Sequence, residues 1–220
     1  MLTLFHHPVC PHSIFVRVAL REYGLSTRQV VEKVWERREE FLVLNPAGAT
    51  PVLVTEDQLT VPGASIIAEY LDEAYGKDLS DRRFLPPKAV ERMEVRRLMY
   101  WFNDKFFVEV SGPLTAERQK QYMPLELGGA RDFELISAAF QDIPNHLAYM
   151  ERLLRKRDWL AGPRLSYADL AAVAHLSAAE YFGELPWTEY KAANAWRERM
   201  HSRAAFQAVL NEGWKSFIRP

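Results

Sequence analysis

Cysteine is nearly missing from this sequence: of 220 residues only Cys10 is one, so no intramolecular disulfide can form and a reducing cytoplasm is the expected setting. An excess of charge of one sign is missing too. Lys plus Arg number 28 against 29 for Asp plus Glu, a formal net charge of −1. With no long run of one sign, the chain lacks the electrostatic footprint of a general nucleic-acid or anionic-membrane binder. Long apolar runs are absent as well. Stretches such as Leu170 to Ala174 fall far below the roughly 18 to 20 residues that a spanning helix needs, so no membrane insertion is expected. Met1-Leu2-Thr3-Leu4-Phe5-His6 has no basic region followed by a long apolar one, which argues against a signal peptide. No internal repeat or low-complexity tract occurs. What remains is 48% hydrophobic and 26% charged, the balance of a soluble globular protein long enough for one large domain or two small ones.

Two regions read differently. Residues 1–77 mix strands and helices. Leu2, Leu4 and His6 alternate with Thr3 and Phe5 as in a strand, and a helical pattern follows Pro11, with Phe15, Ala19 and Tyr23 four apart and Gly24 as its stop. Thr27 to Lys33 suits a second strand, Arg37 to Leu44 a short helix, Pro51 to Val61 a hairpin, and Ala64 to Tyr75 an amphipathic helix. The order β-α-β-α-β-β-α predicts one small mixed sheet with helices on its faces. Residues 78–87, with Pro86-Pro87, read as a linker. Residues 88–220 read as helices. The first, Ala89 to Val110, should be stopped by Gly112-Pro113; a long one from Arg131 to Lys156 carries Pro144; another starts at Ser166, where Asp169 suggests a capping box. The last two fall over Glu189 to His201 and Ala204 to Asn211.

Bottom-up, several residues carry chemistry. Cys10 lies just before a helix, whose unpaired amide groups favour a thiolate, so it is either a nucleophile or a small half-buried turn residue. His6, His7 and His12 cluster near it, but no second Cys or suitably spaced carboxylate completes a metal site, and none is expected. Pro51 reads either as a cis proline exposing the Thr50 backbone to a ligand or as a strand-entry proline. Trp101, Phe102, Phe106 and Phe107 read as packing residues.

The motifs together resemble the glutathione transferase superfamily over nearly the whole chain. They are Pro8-Val9-Cys10-Pro11-His12-Ser13, Asn45-Pro46-Ala47-Gly48-Ala49-Thr50-Pro51-Val52-Leu53, Ile67-Ala68-Glu69-Tyr70-Leu71-Asp72-Glu73, and Leu160-Ala161-Gly162 with Ser166-Tyr167-Ala168-Asp169-Leu170. The resemblance implies a thioredoxin-like α/β domain followed by an all-α domain. It places Cys10 at the active-site position with Ser13 nearby, and Thr50-Pro51 as the grip on the cysteinyl part of glutathione. Three positions depart from the family pattern. Gly63 and Ala64 stand where most members have a Glu-Ser pair for the γ-glutamyl group, and Ala49 stands where a Lys is frequent. Each charge-assisted hydrogen bond contributes about 1.5–3 kcal/mol, so their loss argues against ordinary glutathione chemistry.

Within the superfamily, Val61-Pro62-Gly63-Ala64, Val34-Trp35-Glu36-Arg37-Arg38-Glu39-Glu40-Phe41, Arg96-Arg97-Leu98 through Phe107, Val110-Ser111-Gly112 and Ala174-His175-Leu176-Ser177 most resemble a group of glutathione-transferase-like division proteins of alphaproteobacteria. That group binds filaments of the tubulin-like protein FtsZ and acts as dimers. Its short acidic, aromatic C-terminal tail is not matched by Trp214-Lys215-Ser216-Phe217-Ile218-Arg219-Pro220. The resemblance implies a non-catalytic cytoplasmic homodimer that needs no cofactor and binds FtsZ filaments. Trp35, Arg37 and Arg38 are the expected partner site, and Arg92, Arg96 and Arg97 the expected dimer charges. The alternatives are a glutathione transferase or thiol reductase using Cys10, for which glutathione is the cofactor, and a small-ligand carrier. Trp35 itself stays open between a partner anchor and a ring that folds back over the site.

Overall fold

The alternation at the N-terminus produces the strand it suggests. In the computed structural model, which describes residues 1–215, β1 spans Leu2–His6, with Leu2 and Leu4 buried and Thr3 and Phe5 half-buried. The helix α1 follows at Pro11–Glu22. Pro11 occupies its first position, where a missing N–H costs nothing. The helix ends as its Gly predicts: Leu25 N–H donates to Leu20 O at 2.9 Å and Gly24 N–H to Arg21 O at 3.0 Å, with Gly24 at φ +69°.

The strands β2 (Thr27–Val31), β3 (Val52–Val54) and β4 (Thr60–Pro62) complete a four-stranded sheet of order β2-β1-β3-β4. β1 runs parallel to β2, with Leu2 opposite Thr27 and His6 opposite Val31, and antiparallel to β3, with Phe5 opposite Val52. The β3–β4 hairpin pairs Val52 with Pro62. Between β2 and β3 lie a 3₁₀ turn at Val34–Glu36 and the short helix α2 at Glu39–Leu44. After β4 comes α3 at Ala64–Tyr75. Its Ile67, Ala68 and Leu71 are buried, as are Phe15, Val18 and Ala19 of α1, which packs against it. This is a thioredoxin-like mixed sheet.

One compact unit comprises Met1–Arg83 together with the chain from Ala204 onward, and the other is Phe84–Arg203. Each departure from the expected boundaries follows from particular contacts. Residues expected to be linker form 3₁₀ turns over Gly76–Arg82, and Arg83 pairs with the buried carboxylate of Asp72, which extends the first unit past 77. The helix α10 (Ala204–Lys215) packs on α1, burying Phe206 and Val209, and Glu212 pairs with Arg17 and Arg21. Residues 216–220, within the stretch where the sequence lacks the acidic tail, lie outside the described residues.

The second unit is helical throughout. α4 (Ala89–Tyr100) passes into an 11-residue π-helix at Trp101–Ser111 and then α5 (Gly112–Gln119). Gly112-Pro113 therefore does not stop the helix. Pro113 sits in the first turn of α5, where a proline needs no hydrogen-bond acceptor, so helix follows helix without a break in the chain. A short helix, α6 (Leu125–Gly128), and the long α7 (Phe133–Leu154), which contains Pro144, come next. α8 (Tyr167–Glu180) is buried on almost every side, as its Ala-rich, unpatterned sequence requires. α9 spans Lys191–His201. No helix among the described residues is long and apolar enough to cross a membrane.

The anticipated cap at Ser166 does more than start α8. The fully buried Asp169 carboxylate accepts from Ser166 N–H (3.0 Å), Ser166 Oγ (3.0 Å), Leu160 N–H (2.9 Å) and the Trp196 indole N–H (2.9 Å). Asp169→Ala is expected to lower unfolding free energy by at least about 3 kcal/mol, because buried donors are left unpaired. Asp169→Asn, which keeps one acceptor oxygen, should cost less. Urea denaturation of the two variants measures this, and equal, small losses would show the network to be dispensable.

Candidate functional site

Strand register decides which loops meet. Because β3 is antiparallel to β1 and β4 is antiparallel to β3, the C-terminal ends of β1, β2 and β4 and the N-terminal end of β3 share one edge of the sheet. From that edge emerge Cys10 after β1, Trp35 after β2, Thr50-Pro51 before β3 and Gly63-Ala64 after β4. Four separate stretches of sequence are thus brought into one place.

Cys10 is the N-cap of α1, its N–H donating to His7 O at 3.0 Å and its carbonyl accepting from Ile14 N–H at 2.9 Å. Burial pushes its thiol up, but a hydrogen bond and the charge of His12, with hydrogen bonds from the Ser13 backbone and hydroxyl, outweigh that and hold it below the ordinary value. Ser13 is buried, and its Oγ accepts from His7 N–H at 3.2 Å. Neither the His12 nor the Ser13 contribution follows from spacing alone, since both need the first turn of α1 to fold back on the cap. The chemistry available is that of a partly exposed thiol that ionises more readily than an ordinary cysteine.

The Thr50–Pro51 peptide is cis. Pro51 is buried and its carbonyl accepts from Gly63 N–H at 2.9 Å, which ties the proline loop to the start of α3. Thr50 is half-buried, and Ala49 is exposed with its carbonyl accepting from the Asn45 side chain at 2.8 Å. Gly63 caps α3 at φ +90°, in backbone space that an L side chain adopts only under strain, and Ala64 opens the helix. None of Ala49, Gly63 and Ala64 carries a polar side chain.

Trp35 lies in the 3₁₀ turn, half-exposed, with its ring edge-on to His7 at 5.5 Å between centroids. It therefore touches the residue that hydrogen-bonds Cys10, and keeps part of its surface in water. Arg37 is exposed at φ +47°. Arg38 is exposed, and its guanidinium reaches the buried Glu32 carboxylate through Nη2 at 2.7 Å and Nε at 3.3 Å. Glu32, absent from the sequence reading, is signalled only by being an acid at the end of a strand. Among the described residues, no group of three metal-ligating side chains occurs.

Family models for the N-terminal and C-terminal domains of glutathione S-transferases match residues 4–80 and 136–213. The chain belongs to the glutathione S-transferase family. It is 40% identical over 215 residues to FtsZ-localized protein A of Caulobacter vibrioides, covering 96% of this chain and 92% of that relative. Among solved structures it resembles a glutathione S-transferase from Sinorhizobium meliloti with a TM-score of 0.91 and 43% identity, and FzlA from C. crescentus with a TM-score of 0.85 and 39% identity. Each covers 96% of this chain and 92% of the other.

The geometry around Cys10 gives a direct expectation. At pH 7 the thiol should react with iodoacetamide faster than an ordinary cysteine, because the lowered pKa raises the thiolate fraction. His12→Ala should move the midpoint of the pH–rate curve upward. A midpoint at the free-cysteine value of about 8.5 in both proteins would remove His12 from this role.

Proposed function

We propose that this protein is a dimeric adaptor that binds FtsZ filaments in the cytoplasm during division, using the glutathione-transferase fold as a scaffold rather than for glutathione chemistry. The observation that carries the reading is the sheet edge itself: the cis-proline backbone is kept, while Ala49, Gly63 and Ala64 offer no side-chain ligand. The 40% identity to FtsZ-localized protein A supports it. Three absent contacts of about 1.5–3 kcal/mol each leave glutathione affinity in the millimolar range or weaker. Trp35, half-exposed over His7, is the proposed anchor for the filament, with the exposed Arg37 beside it.

The test pairs co-sedimentation on polymerised FtsZ with calorimetric titration of reduced glutathione. The parent protein is expected to pellet and to show no glutathione binding in the tens of micromolar. Trp35→Ala, verified as folded, should bind filaments about thirtyfold or more weakly, the size of a hot-spot residue. Failure of the parent to pellet would remove the FtsZ assignment; unchanged pelleting of Trp35→Ala would remove the anchor. The lowered Cys10 thiol favours a second reading, a glutathione transferase or thiol reductase. Turnover of an electrophile or disulfide that vanishes in Cys10→Ser would put that reading first, whereas an adaptor pellets unchanged in this variant.

The homodimer belongs to the same proposal. On α4, Val90, Met93 and Tyr100 are exposed at 75%, 53% and 66% and share one face at helical spacing, so an apolar stripe is left for a second copy. Of the arginines expected to supply charge, Arg92 donates to the Pro86 carbonyl at 3.2 Å and Arg97 to Glu94 at 2.8 and 2.9 Å and to Tyr149 at 2.6 Å, and both Arg96 and Arg97 are exposed. Light scattering at tens of micromolar should give a dimer, and Tyr100→Glu, which buries a charge in such a contact, a monomer. A parent that scatters as a monomer would refute it.

A further inference from the structure

The long helix α7 ends in a cationic corner that the site above does not use. Arg155, Lys156 and Arg157 follow one another there and, with Asp158, Gly162 and Pro163, line a groove of about 340 Å³, at the small end of binding-site volumes. The groove lies wholly within the second unit. Arg199 of α9 reaches the same corner, where it donates to the Asp158 carbonyl and its guanidinium lies 5.0 Å from the centre of the Trp159 ring. The Gly162-Pro163 wall belongs to a turn closed by Trp159 N–H on Gly162 O at 2.9 Å and by Gly162 N–H on Trp159 O at 3.2 Å. A wall fixed in advance costs little ordering entropy when something docks against it.

Neutralising the helix end does not account for three cations in succession. The negative pole of a helix amounts to about half a unit charge, and Arg155 Nε already meets Glu151 at 2.9 Å. Donors are left over. The Arg155 side chain is 70% exposed and bonds only through Nε, so both its Nη groups are unused. Arg157, 31% exposed, gives Nη1 to Glu94 at 2.7 Å and to Leu160 O at 2.9 Å and makes no bond through Nε or Nη2. Lys156 is exposed and pairs with no carboxylate among the described residues. Arg97, Arg155, Lys156, Arg157 and Arg199 outnumber the carboxylates around them, Glu94, Glu151 and Asp158, by two. An incoming oxygen anion can therefore reach unused donors from solvent, and guanidinium groups match carboxylates in geometry as well as in charge.

We propose that this groove docks an acidic peptide segment of a partner protein, its carboxylates on Arg155, Lys156 and Arg157 and an apolar side chain against the exposed Pro163. Charge complementarity selects the occupant, and extent narrows it. A short groove on a chain of net charge −1 lacks the extended basic face that nucleic acid or an anionic bilayer requires, whereas one extended chain fits it. The surface is built from other residues than the Trp35 edge, and it does not rest on the FtsZ reading.

The experiment is fluorescence anisotropy of a labelled octapeptide of six glutamates and two leucines, titrated with the full chain at about 50 mM salt, where charge pairs are weakly screened. The peptide is expected to bind with a dissociation constant below about 1 mM, and its counterpart with glutamine for every glutamate is expected not to bind. Lys156→Glu should weaken binding about fivefold or more. Because Lys156 has no internal carboxylate partner, this variant should melt as the parent does. Lys77→Glu makes the same change of charge at an exposed lysine of the first unit and should leave the affinity unchanged. Absence of peptide binding up to about 1 mM, or equal binding of the glutamine peptide, would overturn the proposal. So would an affinity that Lys156→Glu leaves unchanged, or that the two lysine variants lower equally, since attraction is then not local to the groove. A uridine 20-mer and phosphatidylglycerol vesicles run alongside, and stronger binding of either than of the peptide would reassign the groove and overturn it too.

Discussion

The Asp169 carboxylate is the constraint on which the second unit depends. It is fully buried, and four donors from three parts of the chain meet on its two oxygens: Leu160 before α8, Ser166 at its cap, and Trp196 on α9. Burial pushes the carboxyl up from its ordinary value, and the hydrogen bonds only partly offset that. Such a group is worth keeping only while every donor is in place, since a buried charge with missing partners is among the costliest defects in a fold. The turn, the start of α8 and the position of Trp196 are therefore specified together. A second buried network has the same character: His175 bridges Asn103 Oδ1 at 3.1 Å and Ser111 Oγ at 2.7 Å, joining both ends of the π-helix to α8.

In the first unit the organising element is the sheet edge. It brings together a cis proline, a helix N-terminus after Gly63 and a thiol at the cap of α1, while Ala49, Gly63 and Ala64 offer no polar side chain. Fold and function separate along that line, because strands and caps fix where a ligand or partner can approach and side chains decide which one is held. At Gly63 the backbone stands at φ +90°, a conformation that glycine adopts freely and an L side chain only under strain.

Charged residues at the expected partner and dimer positions also make contacts within the chain that spacing does not show. Arg38 and Arg97 each pair with a nearby carboxylate while staying exposed, Glu32 in one case and Glu94 in the other, and Glu94 is shared with Arg157 at 2.7 Å. Apolar exposure is the more telling signal on α4, for Val90, Met93 and Tyr100 have no internal reason to face water.

From the sequence alone one can determine the order of strands and helices in residues 1–77, the cap at Ser166, the stop at Gly24 and the family resemblance. These are legible because each rests on local chemistry: side-chain period, a missing N–H, a residue tolerant of positive φ. Only the tertiary structure decided that helix continues through Gly112-Pro113, that α10 returns to the first unit, that His12 and Ser13 lower the Cys10 thiol, and that Arg17 and Arg21 share Glu212. Glu212 stands 195 residues from Arg17 in the chain. Contacts across such separations depend on which surfaces the packed elements present, and no local pattern encodes that.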